Sequence, residues 1–367
     1  MHFRIFEFWR LCAAMLVMIY HFLRFGPDDA TQHHVSDMLY RLLPLMDMFF
    51  MISGFLILLR YGETLTSVRA YRSFLVRRLA RFYPLYLVTF LFFVLVGMAL
   101  HAGLVSSTQP GRYDPGFLWQ NLALVQAWGT TDQLSFNYVA WSLSAEWFCY
   151  LLLPVFVLVI RHAGWKGLAA LALAAIALLE AATEAGVIPF SSWLLADTFG
   201  AYRAFADFAL GGLVMLLVRQ SRWQLQSHLP AWSAFALTIA AMLLVWPAFL
   251  IVVLLAVSMF LAALAERNNP DGARHLRLLA PLGAVSFGIY LWHPVVETLV
   301  LAIGWKHGIA PLGLVNFYVF LLVPMAITVI VALASDRWFE RPVSGWLNRR
   351  FGSRHASGPV ATEQAAA

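Results

Sequence analysis

Long apolar runs alternate with short polar connections along almost the whole chain. A helix that crosses the hydrocarbon core of a bilayer needs about 20 predominantly apolar residues. About ten runs approach that length, and they lie at roughly 8–25, 42–60, 83–102, 139–160, 167–186, 204–219, 232–247, 248–265, 283–303 and 312–334. The pattern predicts an all-α fold, a polytopic integral membrane bundle of about ten transmembrane helices.

Three stretches need a separate interpretation. Pro247 interrupts one continuous apolar stretch and leaves almost no loop between the seventh and eighth predicted helices. The stretch 115–129 is short and carries Gln120, Asn121 and Gln126, so we expect it to lie in the membrane interface instead of crossing. No basic leader or cleavage site precedes the first run, which indicates an uncleaved helix and not a signal peptide.

The arginines are distributed unevenly between the predicted connections, and cytoplasmic connections of membrane proteins carry the excess of positive charge. One set of connections and the C-terminal end hold Arg60, Arg69, Arg72, Arg77, Arg78, Arg81, Arg161, Lys166, Arg219, Arg222, Arg267, Arg274, Arg277, Arg337, Arg341, Arg349, Arg350 and Arg354. The opposite connections hold mainly aspartates: Asp28, Asp29, Asp37, Asp114, Asp132 and Asp197. Both termini are therefore predicted to be cytoplasmic.

The composition agrees with a membrane protein. Of the 367 residues, 61% are hydrophobic and 12% are charged, whereas soluble domains contain about 25% charged residues. The net charge of +6 comes from arginines beside apolar runs, so we expect a lipid bilayer as partner and no nucleic acid. We predict a membrane domain over 1–345 and a small, polar, disordered cytoplasmic tail over 346–367.

Cysteine and histidine spacing does not indicate a metal site. Cys12 and Cys149 lie inside apolar runs, where they are most simply buried small side chains. His33 and His34 are adjacent in a polar loop, without a partner at ligand spacing. We therefore predict neither a bound metal nor a disulfide framework.

The first apolar run carries two ionisable residues, Arg10 and His21. Such residues are costly inside a membrane helix and normally face protein or a water-filled cavity. Their spacing is almost three helical turns, so both lie on one face, separated by roughly 16 Å along the axis. In the predicted orientation, Arg10 lies near the cytoplasm and His21 near the outer surface.

Other polar residues inside the predicted helices segregate by depth. Near the outer ends lie three acids, Asp47, Glu146 and Asp207. At the cytoplasmic end of the third helix lies an arginine cluster, Arg77, Arg78 and Arg81. Each residue alone is explained as well by helix packing, backbone hydrogen bonding or membrane topology. The coincidence of a histidine and acids at one depth with arginines opposite favours a functional site.

The segregated groups suit proton transfer at a hydroxyl together with a phosphorylated cytoplasmic donor. Imidazole titrates near neutral pH, and a carboxylate beside it stabilises the imidazolium that forms when a hydroxyl loses its proton. Guanidinium groups bind phosphates through paired hydrogen bonds, so acyl-coenzyme A fits with its nucleotide inside and its arm along the Arg10–His21 face. A proton-coupled transporter or glycolipid flippase is the alternative, although the two-half symmetry of many transporters is lacking.

The motifs, taken in order, resemble the membrane-bound acyltransferase 3 family over nearly the whole chain. Arg10 and His21 match its arginine and histidine separated by ten residues, Asp47 opens a D-x-F-F-x-x-S-G-F match, and Trp141 opens W-S-L-x-x-E. Further matches are Arg78, Arg81, Pro84, Tyr86, Ser286, Gly288, Tyr290, Leu291, Trp292, His293, Glu340 and Pro342. The usual leucine–aspartate–glycine-like run before the arginine is replaced by Phe6, Glu7, Phe8 and Trp9.

The resemblance implies an O-acyltransferase of a bacterial inner (plasma) membrane. Such an enzyme uses cytoplasmic acyl-CoA, with acetyl-CoA the first expectation and no metal, to acylate a carbohydrate such as lipopolysaccharide or exopolysaccharide. No fused esterase-like domain is present in the sequence, so the membrane domain is expected to engage the acceptor alone. A lipid-linked oligosaccharide, a secreted signal or an antibiotic stays open as acceptor, as do the acyl chain length and the oligomeric state.

The resemblance also implies residue roles. His21 is the expected catalytic histidine, with Glu146 or Asp47 as the acid that orients it. The expected donor-binding residues are Arg10, Arg78, Arg81 and Arg77. The expected substrate or cavity residues are Trp141, Ser142, Tyr290 and His293. Direct attack of the acceptor hydroxyl on the thioester and an acyl-histidine intermediate both remain open.

Overall fold

The computed structural model describes residues 3–351, and this part of the chain contains helices and turns but no β-strand. Its α-helices, labelled in chain order, are α1 Arg4–Leu23, α2 Ala30–Arg41, α3 Asp47–Tyr61, α4 Val68–His101, α5 Leu118–Leu122, α6 Trp141–Leu151, α7 Leu153–Glu184, α8 Gly200–Gln220, α9 Leu229–Leu243, α10 Ala248–Asn268, α11 Ala280–Ala284, α12 Ser286–Val296, α13 Phe317–Phe320, α14 Leu322–Ser335 and α15 Arg341–Phe351.

Eight helical segments within residues 3–351 are long and apolar enough to cross a membrane. One of them, α7, breaks at Gly164, where φ is 55° and ψ is −142°. Its first part therefore continues α6, and its second part forms a separate crossing. The shorter apolar helix α9 has 15 residues. With these two additions the bundle has about ten crossing segments, and the predicted all-α polytopic architecture is confirmed.

The arginine-rich connection after α3 is helical. Helix α4 begins at Val68, where the Ser67 hydroxyl accepts a hydrogen bond from the backbone N–H of Ala70 at 3.2 Å. It continues for 34 residues, whereas the sequence predicted a helix beginning at 83. The apolar pattern marks the part that fits the hydrocarbon core, but arginine also favours helix and extends it beyond that core.

Helices α3 and α8 pack with their backbones almost in contact. A Cβ atom at Gly211 would lie 1.9 Å from the backbone oxygen of Met51, and one at Gly54 would lie 2.3 Å from that of Phe208. Only glycine allows this approach, which is typical of helix interfaces in membranes. The contact fixes the start of α3 against the start of α8, where several buried charges lie.

The connection 102–140 folds against the end of the bundle that is predicted to face outward. Gln120, Asn121 and Gln126 are buried. Asn121 Nδ2 donates a hydrogen bond to Ser135 Oγ at 2.7 Å. The α-helical part of this segment is the five-residue α5, which is accompanied by short 3-10 turns, and the segment does not cross, as predicted. Its position in the membrane interface stays a prediction.

The C-terminal boundary differs from the predicted one. Helix α15 continues to Phe351, so residues 346–351, predicted to be disordered, are helical. The rest of the predicted tail, 352–367, which includes Arg354, lies outside the described residues. The cytoplasmic position of both termini stays a prediction from the distribution of arginines.

Candidate active site

His21 lies in the last turn of α1 with its ring between two other rings. The ring meets Tyr138 edge-on at a centroid distance of 4.7 Å and stacks on His293 at 5.4 Å with an interplanar angle of 18°. His21 Nδ1 is buried and accepts or donates no hydrogen bond within residues 3–351. His293, predicted as a cavity residue, therefore lies directly beside the predicted catalytic histidine.

Glu297 is connected to His21 through Tyr138, the residue that packs on the His21 ring. The Tyr138 hydroxyl donates a hydrogen bond to Glu297 Oε2 at 2.6 Å, and both side chains are buried. Glu297 begins a π-helix, Glu297–Ile309, that continues α12, and π-helical turns often occur at functional sites. Glu297 was not among the residues predicted from the sequence. Its signal there is that it is an intramembrane acid four residues after His293, on the same helix face.

Glu146 lies among the arginines. Its Oε1 accepts hydrogen bonds from the Tyr150 hydroxyl at 2.5 Å and from the Ser53 hydroxyl. The negative charge of Glu146 acts on the guanidinium of Arg10. Depth along the helix, counted from its start, had predicted Glu146 beside His21. The face that a side chain presents decides its neighbours, and here that face points toward Arg10.

Asp47 forms a buried ion pair with α8. Its Oδ1 accepts a hydrogen bond from Arg203 Nε at 2.8 Å, and the two side chains are 0% and 2% exposed. Arg203 also donates to the backbone oxygen of Leu194 and lies over the ring of Trp141, with its Cζ 4.8 Å from the ring centroid. Asp207 lies beside Asp47. Asp47 thus joins α3 to α8 through Arg203, a residue that was not predicted from the sequence.

Aromatic rings hold the α4 arginines. The guanidinium of Arg78 lies over the rings of Tyr61, Phe74 and Tyr150 at 5.7, 5.7 and 5.9 Å, and that of Arg77 lies over Tyr61 at 5.6 Å. Cation–π contacts position a guanidinium without using its N–H donors. Arg78 Nε is buried and has no hydrogen-bond partner in the described part of the chain. Such donors suit the phosphate oxygens of a ligand.

Arg10 of α1 lies beside the α4 arginines. Its guanidinium lies over the Phe49 ring at 5.4 Å, and its buried Nε makes no hydrogen bond to residues 3–351. The charge of Arg81 acts on Arg10 and on Glu340. The predicted donor-binding arginines therefore converge from α1 and α4. The Nε groups of Arg10 and Arg78, which are unpartnered in the described chain, suit the phosphate oxygens of a ligand.

A continuous line of side chains joins the arginine cluster to His21. Phe49, which carries the Arg10 guanidinium, lies 6.5 Å from the Tyr290 ring. The Tyr290 ring lies 5.9 Å from His293, which stacks on His21. The Arg10–His21 face predicted from the sequence is therefore lined by aromatic and imidazole rings.

The remaining predicted cavity residues support this line from one side. The hydroxyls of Ser142 and Tyr290 both donate to the backbone oxygen of Val139, at 3.2 and 2.9 Å. Trp141 packs against Arg203 and so belongs to the Asp47 cluster. Within residues 3–351, no group of three or more histidines, cysteines, aspartates or glutamates is placed to hold a metal ion.

Comparison with known proteins identifies the class of reaction. The model of the acyltransferase domain family matches residues 3–335. Acyltransferase MdmB of Streptomyces mycarofaciens is 28% identical over 273 residues, which cover 68% of this chain and 67% of that protein. No solved structure matches the chain. The family match includes Arg10, His21, the α4 arginines and His293, and the chain belongs to the acyltransferase 3 family, as a membrane-embedded enzyme that transfers acyl groups.

Proposed function

We propose that the enzyme moves an acyl group, in the first instance acetyl, from cytoplasmic acyl-CoA to a hydroxyl of an extracytoplasmic carbohydrate. The observation that carries the proposal is the line of rings from Arg10 to His21, with arginines at one end and two histidines at the other. A soluble donor on one side of the membrane can thereby meet an acceptor on the other.

The donor is proposed to bind at the arginine cluster. Arg10, Arg78, Arg81 and Arg77 supply positive charge near the predicted cytoplasmic surface, and two of their Nε donors are buried without a partner in the described chain. The pantetheine arm then follows Phe49 and Tyr290 toward His21. Glu146 offsets part of the positive charge at Arg10. From the sequence, Glu146 had been predicted to act on His21 instead.

His21 is proposed as the general base. Its imidazole takes the proton of the acceptor hydroxyl while the hydroxyl oxygen attacks the thioester carbonyl carbon. The carbon–sulfur bond breaks, and the coenzyme A thiolate takes the proton from the imidazolium. The products are an ester and free coenzyme A. Tyr138, held by Glu297, fixes one side of the imidazole during this step.

The proposed location is a bacterial inner membrane, with carbohydrate outside and acyl-CoA inside. The arginine distribution supports this orientation, because the cluster at the start of α4 lies on the side with the excess of positive charge. Family membership establishes acyl transfer and so favours an enzyme over a transporter or flippase.

Mass spectrometry of cell-surface glycans tests the proposal. Cells with the wild-type protein, with His21→Ala or without the protein are compared. His33→Ala is the matched control, because His33 is an exposed histidine that contacts Asp28 at 2.6 Å in a polar segment. We expect an acyl-sized mass increment only with the wild type and with His33→Ala. An increment retained by His21→Ala would refute the role of His21. Identical glycans in all four, with each protein present in the membrane, would refute carbohydrate as the acceptor.

A further inference from the structure

Positive charge is scarce on the predicted outer side of the membrane. Within the described outer connections the lysines and arginines are Arg24, Arg41, Arg112 and Lys306. Arg41 forms an ion pair with Asp37 at 2.8 Å. Neither Arg24 nor Arg112 lies within ion-pair distance of a carboxylate in residues 3–351. The positive-inside rule does not account for cations on the outer side, so their positions point to another role.

Arg24 and Arg112 both face His21. Arg24 follows His21 by three residues, so it lies about one turn further out, and its guanidinium is 5.0 Å from the centroid of the Tyr20 ring. Arg112 lies 4.5 Å from the centroid of Tyr138, the ring that packs on His21. Both positive charges act on His21 and on Glu297.

Arg112 is held in place although it belongs to a long connection. Its Nη2 donates to Gln109 Oε1 at 2.6 Å, and its backbone oxygen accepts a hydrogen bond from the N–H of Phe136 at 2.9 Å. Arg24 makes a weaker contact, at 3.4 Å to the Tyr20 hydroxyl. Both guanidiniums have more N–H donors than these hydrogen bonds use, and their charges act on His21.

Two carboxyl groups face the same region, and neither neutralises the guanidiniums at contact distance. Glu297 accepts the hydrogen bond of Tyr138. Asp197 lies in the connection before α8, and its charge acts on Arg24. Because neither carboxylate forms an ion pair with Arg24 or Arg112 in the described part of the chain, both guanidiniums can bind an additional anion.

We propose that the acceptor carries an anionic group, a carboxylate or a phosphate, close to the hydroxyl that is acylated, and that Arg24 and Arg112 bind it. This inference rests on the proposed function. Guanidinium binds both oxyanions through paired hydrogen bonds, and the anion would orient the neighbouring hydroxyl toward His21. The anion also adds a negative charge where the imidazolium forms, which favours the proton transfer.

A matched pair of sugars tests the inference. The purified protein in lipid nanodiscs is given acetyl-CoA with methyl glucoside, methyl glucuronide or glucose 1-phosphate, and acetylated sugar is quantified by mass spectrometry. We expect the two anionic sugars to be acetylated with a kcat/KM at least about tenfold above that of the neutral one, the order of one charged hydrogen bond. Arg24→Gln and Arg112→Gln should each reduce this preference, mainly through KM. Lys306→Gln, an outer cation away from His21, should leave it unchanged.

The possible results separate the inference from the function on which it rests. Equal acetylation of neutral and anionic sugars, or an unchanged preference in both arginine variants, would overturn the inference and leave the proposed function standing. A preference confined to glucose 1-phosphate would identify the anion as phosphate, and one confined to glucuronide as carboxylate. Acetylation of none of the sugars, together with no acyl group on any cell-surface glycan, would overturn both.

Discussion

The buried cluster of Asp47, Arg203 and Asp207 allows a quantitative test of what Asp47 does. A guanidinium cannot lose its proton in a protein, whereas a carboxyl can be neutralised by binding one. Removing one carboxylate leaves the other beside Arg203. Removing both leaves a buried guanidinium with no countercharge from these two aspartates. The double substitution should therefore cost more than the two single substitutions together.

The expected magnitudes follow from the contacts. Asp47→Asn loses a charge-assisted hydrogen bond, so we expect about 1.5 kcal/mol, the lower end of the range for such bonds, because Asp207 partly replaces it. Asp207→Asn should cost close to nothing, since it also removes a repulsion between two carboxylates. The double variant should cost about 3–5 kcal/mol, the usual penalty for breaking a buried ion pair. The coupling between the two positions is then at least about 1.5 kcal/mol.

Unfolding by SDS in mixed micelles measures these free energies, and Asp37→Asn supplies the control. Asp37 pairs with Arg41 at the surface, and such a pair contributes about 0–1 kcal/mol. Acyl transfer per folded molecule is measured in parallel and should stay within about twofold of wild type in Asp47→Asn. A double variant no less stable than Asp47→Asn would refute the reasoning. Loss of turnover in a stable Asp47→Asn protein would instead restore Asp47 as a catalytic residue.

Three further predictions follow from the site. Tyr138→Phe keeps the ring against His21 but removes the hydrogen bond to Glu297. We expect kcat to fall by about 10–100-fold, the scale of a lost charged hydrogen bond, with KM nearly unchanged. An equal fall in kcat in a folded but distant variant such as Lys306→Gln would contradict this. Direct transfer predicts no acetyl adduct on the protein after incubation with acetyl-CoA alone, and an adduct on His21 in intact-mass spectra would establish the acyl-histidine route. In the folded protein the pKa of Asp197 is about 6, against a usual 3.8, so the contribution of Asp197 to stability decreases as pH rises from about 4 to 6. Asp197→Asn should therefore stabilise the protein at pH 7 by about 1–3 kcal/mol and leave its stability unchanged at pH 4. Unfolding curves at both pH values check this.

The sequence predicts the crossing segments well because the bilayer imposes a length and a polarity on each of them. It does so less well where helices extend beyond the apolar core. The start of α4 at Val68 and the course of α15 to Phe351 depend on helix propensity and on contacts outside the membrane. The break at Gly164 is likewise hidden in a run whose two parts are both apolar.

The sequence indicates candidate site residues, but it does not indicate which of them contact one another. The face shared by Arg10 and His21 follows from helix geometry alone, and the structure lines it with rings. Which acid meets which base depends on how helices rotate against one another, and a periodic pattern does not contain that information. Glu146 therefore lies by Arg10 and Asp47 by Arg203, while Glu297 approaches His21 through Tyr138.

The length of α4 has a consequence for the conditions under which the enzyme works. Its 34 residues span about 50 Å, compared with a hydrocarbon core of about 30 Å. Arg77, Arg78 and Arg81 lie near the start of the apolar part, at the level of the phospholipid headgroups. Anionic lipids bind such clusters with about 1 kcal/mol per arginine, and they offer the same phosphate chemistry as the proposed donor. If the proposed donor binds there, phospholipid and coenzyme A compete for one set of guanidiniums. The apparent affinity for the donor should then depend on the lipid composition of the membrane as well as on the protein.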